Sequence, residues 1–399
     1  MINSIRGQKI LNYPQEFIYI KIYLKNRNLM LESKIPWSVP DIGEEEDKAV
    51  SEVMNSRWLG MGPKTKEFET EICTYTSSKN AVVVNNGTSA LMTALLANDI
   101  SPGDKVLVPT YTFIATVNSV IALGAHPILV DCDPATFNVS ADEIGKRISE
   151  HKDVKALIFV DVAGMPADID AISEIASRNN LILIEDAAES FGAKYKGKLV
   201  GSFEHTTIFS FHIAKQMTMV EGGAIVSGAQ EIADKSRLIR SHGEGKEKYI
   251  HVDLGLNFRP TDIQSTIGLT QLRKVEKYIE LRERIAKMYM TKLGGLMEFQ
   301  HVSDYVSRHP YMLFMCLAKD LKERDELNKF LNDRGVDTRL PWPPVHAQPY
   351  HRAKLAFEEM PNADRVYERV LSLPIGNAIA DSQALQVIEV VNDYYQKVK

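Results

Sequence analysis

The stretch KALIFVDVAGMPADIDAISEIASRNNLILIED, residues 155–186, carries the clearest fold signal in this chain. Apolar runs at its two ends, 155–161 and 181–186, have the length and composition of buried strands. Between them, residues 167–180 repeat apolar side chains with a helical period. A strand, a helix and a second strand at this spacing predict parallel strands in a sheet that is covered on both faces.

The same alternation extends through much of the chain. Further strand-like runs are AVVV (81–84), KVLVP (105–109) and HPILVD (126–131). Residues 261–289 then predict one long charged helix that crosses into a smaller domain, followed by the strand-like YMLFMCLA (311–318). We therefore predict an α/β fold, with a large domain around a mostly parallel central sheet and a smaller C-terminal α+β domain.

The length supports two domains, because 399 residues exceed what one hydrophobic core usually organises. We predict a large domain over 35–270 and a small domain over 271–399. Residues 1–34 do not share the pattern of the rest of the chain, although FIYIKIYL (17–24) has a strand-like composition. We interpret them as an N-terminal extension of unknown role, either an accessory arm or the result of an upstream start.

Composition and charge exclude several classes of partner. The net charge of −5 gives no reason to expect nucleic acid or an anionic membrane. No apolar run reaches the roughly 18 residues of a membrane helix, and the N-terminus lacks the features of a signal peptide. Cys73, Cys132 and Cys316 are far apart with no CxxC pair. This pattern favours a reducing compartment, so we expect a cytoplasmic protein, and we assign no metal ligands.

Ligands of open α/β sheets bind beyond the carboxyl ends of the strands, and three strand ends here carry polar residues. The first lies in VVVNNGTSALMTALL (82–96), where Gly87, Thr88 and Ser89 lead into a helix. Glycine permits close backbone approach, and the free N–H groups and dipole of a helix N-terminus favour an anion. The stretch predicts a phosphate site, although an ordinary capped helix explains the same residues.

The second strand end is LILIEDAAESFGA (181–193), which brings Glu185 and Asp186 to the sheet edge. An acid there can hold a protonated ring nitrogen through a charge-assisted hydrogen bond, and a helix N-cap is the alternative interpretation. The third is FSFHIAKQMTMVEGGAIVS (209–227), where Lys215 follows an apolar run. Lysines are mostly exposed, so the interpretation of this one depends on the other two strand ends.

A phosphate site, an acid and a lysine on neighbouring strand ends together predict a pyridoxal phosphate site. This cofactor has a phosphate at one end, a basic pyridine nitrogen opposite, and an aldehyde that a lysine amine can bind. Ser210 can add a hydroxyl to the phosphate contacts. Phe113, in VPTYTFIAT (108–116), can cover the ring face, or it packs in the core.

The chain resembles the DegT/DnrJ/EryC1/StrS family of nucleotide-sugar aminotransferases, which are fold-type I pyridoxal phosphate enzymes. The resemblance extends from about residue 35 to the C-terminus. Its motifs occur in order as PDIGEEE, WLGMGPKTKEFE, NNGTSAL, VPTYTFIAT, GAHPILVDCDPATFNV, AGMPADID, IEDAAESFGA, FSFHIAK, EGGAIVS, LGLNFRPTDIQ and LSLP.

This resemblance implies an amino-transfer reaction for amino-sugar or surface-polysaccharide biosynthesis. Lys215 resembles the Schiff-base lysine that forms the internal aldimine, Asp186 the acid beside the pyridine nitrogen, and Glu189 a residue near the phenolic oxygen. An amino group would pass, by family analogy from L-glutamate, to the cofactor and then to a keto group of a nucleotide-linked deoxysugar, with ping-pong kinetics. Relatives with histidine in place of the lysine are dehydratases, so Lys215 favours amino transfer.

The resemblance also implies further cofactor and substrate contacts. Phe113 would stack on the ring, and His346 resembles a histidine near the sugar nucleotide. Asn257 would reach the phosphate from the other subunit, which implies a homodimer with shared active sites. The residues matched to the phosphate are Gly87, Thr88, Ser89 and Ser210.

Other functions stay open at this point. One is another fold-type I activity, a sugar dehydratase or an amino-acid transaminase, and another is a non-catalytic regulator, although every cofactor position is filled here. A nicotinamide-dependent oxidoreductase is disfavoured, because NNGTSA does not supply GxGxxG. Asp161 and Ala163 stand where many relatives have His and Tyr, which leaves the sugar preference open.

Overall fold

The computed structural model describes residues 34–354 and 359–398, so almost all of the predicted N-terminal extension lies outside the described residues. The helices are α1 (Glu44–Ser56), α2 (Pro63–Thr76), α3 (Gly87–Ala97), α4 (Ala115–Ala122), α5 (Ala141–Glu150), α6 (Ile169–Arg178), α7 (Gln230–Arg240), α8 (Asp262–Leu272), α9 (Val275–Leu293), α10 (Leu321–Asp333), α11 (Pro349–Lys354), α12 (Pro361–Arg369) and α13 (Asp381–Val398). Short 3₁₀ turns cover Val162–Gly164 and Val345–Ala347.

The strands are β1 (Asn80–Val84), β2 (Lys105–Pro109), β3 (His126–Val130), β4 (Val154–Val160), β5 (Ile182–Asp186), β6 (Lys194–Tyr195), β7 (Lys198–Leu199), β8 (Thr206–Ser210), β9 (Gly223–Ser227), β10 (Glu298–Phe299), β11 (Val306–Arg308), β12 (Phe314–Leu317) and β13 (Val370–Leu373). Seven of them form the central sheet, in the order β1-β9-β8-β5-β4-β2-β3. Strand β9 runs antiparallel to both neighbours, and the pairs from β8 to β3 are all parallel. This topology confirms the predicted α/β fold with a mostly parallel sheet.

Helices cover both faces of this sheet, which is why its strands are continuous apolar runs. Successive side chains of a strand point to opposite faces. In β4, Ile158 and Val160 pack with residues of α3 and α4, whereas Leu157 and Phe159 pack with residues of α5 and α6. Alternate side chains of this one strand therefore belong to two hydrophobic cores, one on each face of the sheet.

The predicted single helix over 261–289 is wrong, because the structure has two helices there, α8 and α9. The interruption lies at Arg273 and Lys274, where the Lys274 N–H donates to the carbonyl of Gln271, three residues back. The tightened turn breaks the regular ladder without a glycine or proline to signal it. The Lys274 ammonium lies 2.7 Å from a carboxylate oxygen of Glu46 and so ties the break to α1.

A second core forms around the antiparallel sheet β10-β12-β13 and the helices α9, α10 and α13. Ile35 lies in this core, and its N–H donates to the carbonyl of Gly335 at 2.8 Å. The first described residues thus pack with the C-terminal part of the chain, and the predicted boundary near residue 270 stays a prediction. Within the described residues, no helix combines the length and the apolar character needed to cross a membrane.

Candidate active site

A cavity of about 840 Å³ opens at the carboxyl ends of the central strands. The turn into α3, the end of β5 and the end of β8 all contribute to its lining, as expected for an open parallel sheet. The sequence-predicted residues that line it are Gly87, Thr88, Ser89, Phe113, Asp186, Glu189, Ser210 and Lys215. The fold therefore brings together side chains that the sequence places on separate strand ends.

One end of the cavity is formed by the N-terminus of α3. The Asn86 side chain caps this helix by accepting a hydrogen bond from the Ser89 N–H at 2.8 Å. A Cβ on Gly87 would lie 3.0 Å from the Cβ of Ser210, which is tighter than most real contacts. Glycine thus lets the helix N-terminus and the Ser210 hydroxyl approach one another, and this arrangement suits a small anion.

Asp186 lies at the end of β5 and is almost fully buried. Thr116 Oγ1 donates to its Oδ2 at 2.7 Å, and the Ala188 N–H donates to its Oδ1 at 3.2 Å. Burial raises the pKa of Asp186 to about 6, although these hydrogen bonds and the charge of Lys215 oppose the rise. Thr116 was not among the predicted residues, since a threonine inside a helix carries no distinct sequence signal.

The neighbouring acid, Glu185, points to the opposite face of the sheet. Its Oε2 accepts from Thr207 Oγ1 at 2.8 Å and lies 3.0 Å from His205 Nε2. The two-residue period of β5 separates the two carboxylates, so only Asp186 faces the cavity.

We expect the elevated pKa of Asp186 to make the cofactor-free protein less stable as the pH rises. The folded state holds this proton more tightly than the unfolded state, so the unfolding free energy falls between the unfolded pKa, near 4, and about 6. The Asp186→Asn variant lacks this titration. The difference in unfolding free energy, variant minus wild type, should therefore become more positive by about 2–3 kcal/mol between about pH 4 and about pH 7.

Thermal or urea unfolding of both proteins at the two pH values measures this change. Asp234→Asn, an exposed substitution on α7, is the control for replacing a carboxylate with an amide. An Asp186→Asn difference that stays constant with pH would show that this carboxyl is not the buried titrating group.

Lys215 lies in the turn that connects β8 to β9, here called the lysine turn, and its ammonium is largely buried. Its Nζ lies 3.3 Å from Oε1 of Glu189, whose own exposed fraction is 5%. The other oxygen, Oε2, accepts from the Ala163 N–H at 2.9 Å. Burial of a lysine is costly without such a partner, and the pairing with Glu189 compensates for it here.

Asp161 and Ala163, which stand where many relatives have His and Tyr, lie on the far side of Glu189 from Lys215. Ala163 adopts a left-handed backbone conformation, with φ of 63°, and so directs its N–H towards Glu189. Asp161 is fully buried and accepts hydrogen bonds from Ser190 Oγ and the Ala167 N–H. Both residues therefore support the cavity from outside its lining.

The outer part of the cavity is aromatic and carries a cation. Phe113 is half exposed and meets Trp342 edge-on, with ring centroids 6.2 Å apart. The Arg339 guanidinium lies 5.6 Å from the Trp37 ring and 2.6 Å from a carboxylate oxygen of Asp337. The sequence did not single out Trp37, Arg339 or Trp342, because they come from segments that meet only in the folded chain.

Two predicted site residues lie outside the cavity. Asn257 pairs through its backbone with Ser241. The His346 ring has both nitrogens engaged, Nδ1 with Thr110 Oγ1 at 2.8 Å and Nε2 with Asp364 Oδ1 at 3.0 Å. Their suggested roles towards a partner's cofactor and a sugar nucleotide stay predictions.

Comparison with known proteins gives a consistent result. The model of the DegT/DnrJ/EryC1/StrS aminotransferase family matches residues 40–392. The chain is 35% identical to GDP-perosamine synthase from Escherichia coli O157:H7, over 90% of this chain and 98% of that protein. It is 34% identical to the spore coat polysaccharide biosynthesis protein SpsC of Bacillus subtilis (strain 168), over 90% and 96% of the two chains.

Solved structures agree. DesV of S. venezuelae, solved in complex with a ketimine intermediate, superposes with a TM-score of 0.84 at 33% identity, over 93% of this chain and 96% of that one. The fold places a helix N-terminus, an acid and a lysine around one cavity at the strand ends of an α/β sheet. The chain belongs to the DegT/DnrJ/EryC1/StrS aminotransferase family, which confirms the resemblance and the predicted aminotransferase class.

Proposed function

We propose that this aminotransferase moves an amino group to a keto group of a nucleotide-linked sugar, with pyridoxal phosphate in the strand-end cavity. The supporting observation is the meeting of Lys215, Asp186 and the N-terminus of α3 around one space. L-glutamate is the proposed amino donor, and amino-sugar or surface-polysaccharide biosynthesis the proposed pathway. The names of GDP-perosamine synthase and SpsC support this substrate class.

The lining fits this cofactor at each of its polar ends. The N–H groups at the start of α3 and the Ser210 hydroxyl suit the phosphate, in a space that a Cβ on Gly87 would narrow. Asp186 suits the pyridine nitrogen, since a buried carboxylate with few donors gains from a cationic partner. When bound, pyridoxal phosphate supplies an aldehyde for the amine and a ring that accepts electrons.

The chain's own residues then perform proton transfer and positioning. The Lys215 amine would hold the aldehyde of the bound cofactor and, when free, would act as the general base that accepts and returns a proton. Glu189 holds that amine within the cavity at 3.3 Å. Asp186 keeps a proton on the ring nitrogen, and Phe113 and Trp342 restrict water at the mouth.

The outer cavity suits a nucleotide sugar in particular. Trp37, Trp342 and Phe113 offer aromatic faces to a base or a sugar ring, and Arg339 offers a guanidinium to the diphosphate. A simple amino acid would leave most of this aromatic wall unused. This feature favours a sugar transaminase over an amino-acid transaminase.

A homodimer is part of the proposal. The loop before Asn257 exposes apolar side chains that a second copy of the chain would cover. Its half or more exposed apolar residues are Tyr249, Ile250, Val252 and Leu254. Free thiols at all three cysteines fit the proposed cytoplasmic location.

The Gly87→Ala variant tests the phosphate site. The added methyl group would press on the Ser210 side chain, so we expect the dissociation constant for pyridoxal phosphate to rise by about 10–100-fold. Absorbance titration of cofactor-free protein measures it. Gly295→Ala is the matched control, because a Cβ there meets nothing within 4 Å. Equal affinity of both variants and wild type would show that the phosphate does not bind at this end of the cavity.

A spectral screen tests the function itself. The protein is converted to its pyridoxamine form with L-glutamate, and keto-sugar nucleotides are added one at a time. The correct substrate should restore the absorbance of lysine-bound cofactor and yield an amino sugar detectable by mass spectrometry. Response to 2-oxo acids alone would instead identify an amino-acid transaminase, and a dehydrated product a sugar dehydratase.

A further inference from the structure

Helix α9 carries an unusual buried cation. Arg282 has no exposed surface, and among residues 34–354 and 359–398 no carboxylate lies within ion-pair distance of it. Burial lowers the pKa of Arg282 to about 10, so the guanidinium is still charged at neutral pH. Burial of a charge is costly unless hydrogen bonds compensate for the lost water, so the partners of this guanidinium are structurally important.

One arm of Arg282 leads to the lysine turn through a single amide. Arg282 Nε donates to Asn377 Oδ1 at 2.8 Å, and Asn377 Nδ2 donates to the carbonyl oxygen of Gln216 at 2.8 Å. Asn377 lies between β13 and α13 and is 7% exposed. Because both ends of this amide are engaged, its orientation is unique, and it connects α9 with the residue next to Lys215.

The Gln216 side chain continues the same connection. Its Nε2 donates to the carbonyl oxygen of Glu189, the residue whose carboxylate pairs with Lys215. Gln216 itself is fully buried. Gln216 therefore connects the backbone beside Lys215 with the backbone of Glu189, the two partners of the ion pair.

A second arm of Arg282 holds the cavity wall. Its Nη1 donates to the carbonyl oxygens of Tyr311 at 2.9 Å and Met312 at 3.3 Å. Met312 and Leu313 line the cavity, and the Leu313 N–H donates to the Ala163 carbonyl. One guanidinium thus contacts both the wall and, through Asn377, the lysine turn.

We propose that Arg282 and Asn377 are positioning residues for Lys215: they hold the Lys215–Gln216 backbone from the C-terminal part of the chain and so set where the amine lies in the cavity. This inference rests on the proposed role of Lys215. Removing the Asn377 donor would leave the buried Gln216 carbonyl without a partner, and the turn would relax. Small displacements of a reacting group reduce rate strongly with little effect on binding.

The Asn377→Asp variant separates the two hydrogen bonds of the Asn377 side chain. A carboxylate keeps an acceptor for Arg282, as an ion pair, but has no N–H for the Gln216 carbonyl. We expect kcat to fall by about 10–100-fold while KM for the keto-sugar nucleotide changes by less than about threefold. In the cofactor-free protein, amide hydrogen exchange should rise over residues 212–218 but stay unchanged in β12 and β13.

Arg284→Met is the matched control on the same helix. Arg284 is exposed and pairs with Asp381 at 3.0 Å, so its loss should alter neither kcat nor the exchange of residues 212–218. If Asn377→Asp does not fold, Asn377→Ala, which removes both hydrogen bonds of this side chain without adding charge, gives the same readouts.

The outcomes separate this inference from the proposed function. Wild-type protein that binds no pyridoxal phosphate would refute the proposed function, whereas the exchange measurement on cofactor-free protein still tests the positioning. Wild-type kcat together with wild-type exchange over residues 212–218 in the Asn377 variant would overturn the inference. Raised exchange throughout β12 and β13 would also overturn it, since this would indicate a general stabilising role.

Discussion

The Lys215→Ala variant should lose both the visible absorbance of lysine-bound cofactor and turnover, with a fall in rate of at least about 10⁴-fold. The reason is that one amine has two tasks, binding the aldehyde and moving the proton. Neighbouring cavity residues offer no second amine among the described lining, so no other group can replace it. Absorbance spectra after addition of pyridoxal phosphate, and mass spectrometry of the sugar product, measure the two losses.

The same substitution leaves the Glu189 carboxylate buried without its cation, so stability needs a separate control. Lys215→Arg keeps a positive charge beside Glu189 but cannot form the Schiff base. It should fold as wild type does and show the same loss of absorbance and turnover. Full activity in either variant would mean that Lys215 is not the cofactor-binding lysine.

The Asp186→Asn variant should keep the absorbance of lysine-bound cofactor yet lose about 10²–10⁴-fold in kcat. An amide can still accept the hydrogen bond from Thr116, but it cannot keep a proton on the ring nitrogen. The ring then accepts electrons poorly, although the Lys215 amine is unchanged. Single-turnover mixing with L-glutamate and with the keto-sugar nucleotide measures each half-reaction.

Glu185→Gln is the matched control for this prediction. Glu185 is as buried as Asp186 and adjacent to it in β5, but it contacts Thr207 and His205 on the opposite face. Its amide variant should retain near-wild-type kcat. A severe loss of kcat in Glu185→Gln, with near-normal activity in Asp186→Asn, would show that Glu185 and not Asp186 is the functional acid.

These two carboxylates illustrate the reach of sequence reasoning. The apolar run before them predicts a strand that brings both acids to the sheet edge, and the structure shows that Glu185 and Asp186 face opposite ways. Which face carries the cavity depends on where α3 and the lysine turn pack, and this is not visible in β5 itself. The Thr116 hydroxyl that donates to Asp186 was missed because a threonine inside a helix carries no distinct sequence signal.

The long helix shows a second limit. The periodicity of residues 261–289 correctly indicates helix, but the break at Arg273 and Lys274 arises from a tightened turn held to Glu46 on α1. Neither a proline nor a glycine marks that place. A contact across 228 residues of sequence has no local signature.

From its residues alone, the chain specifies the class of its fold and the core of its site, because strand and helix periods are local and the strand-end residues stand beside them. The motifs around Gly87, Asp186 and Lys215 belong to this local kind. Two features depend on packing alone. One is the aromatic outer wall of the cavity together with Arg339, and the other is the connection from Arg282 through Asn377 to the lysine turn. Those contacts join segments far apart in the chain, and their geometry depends on how whole elements pack together.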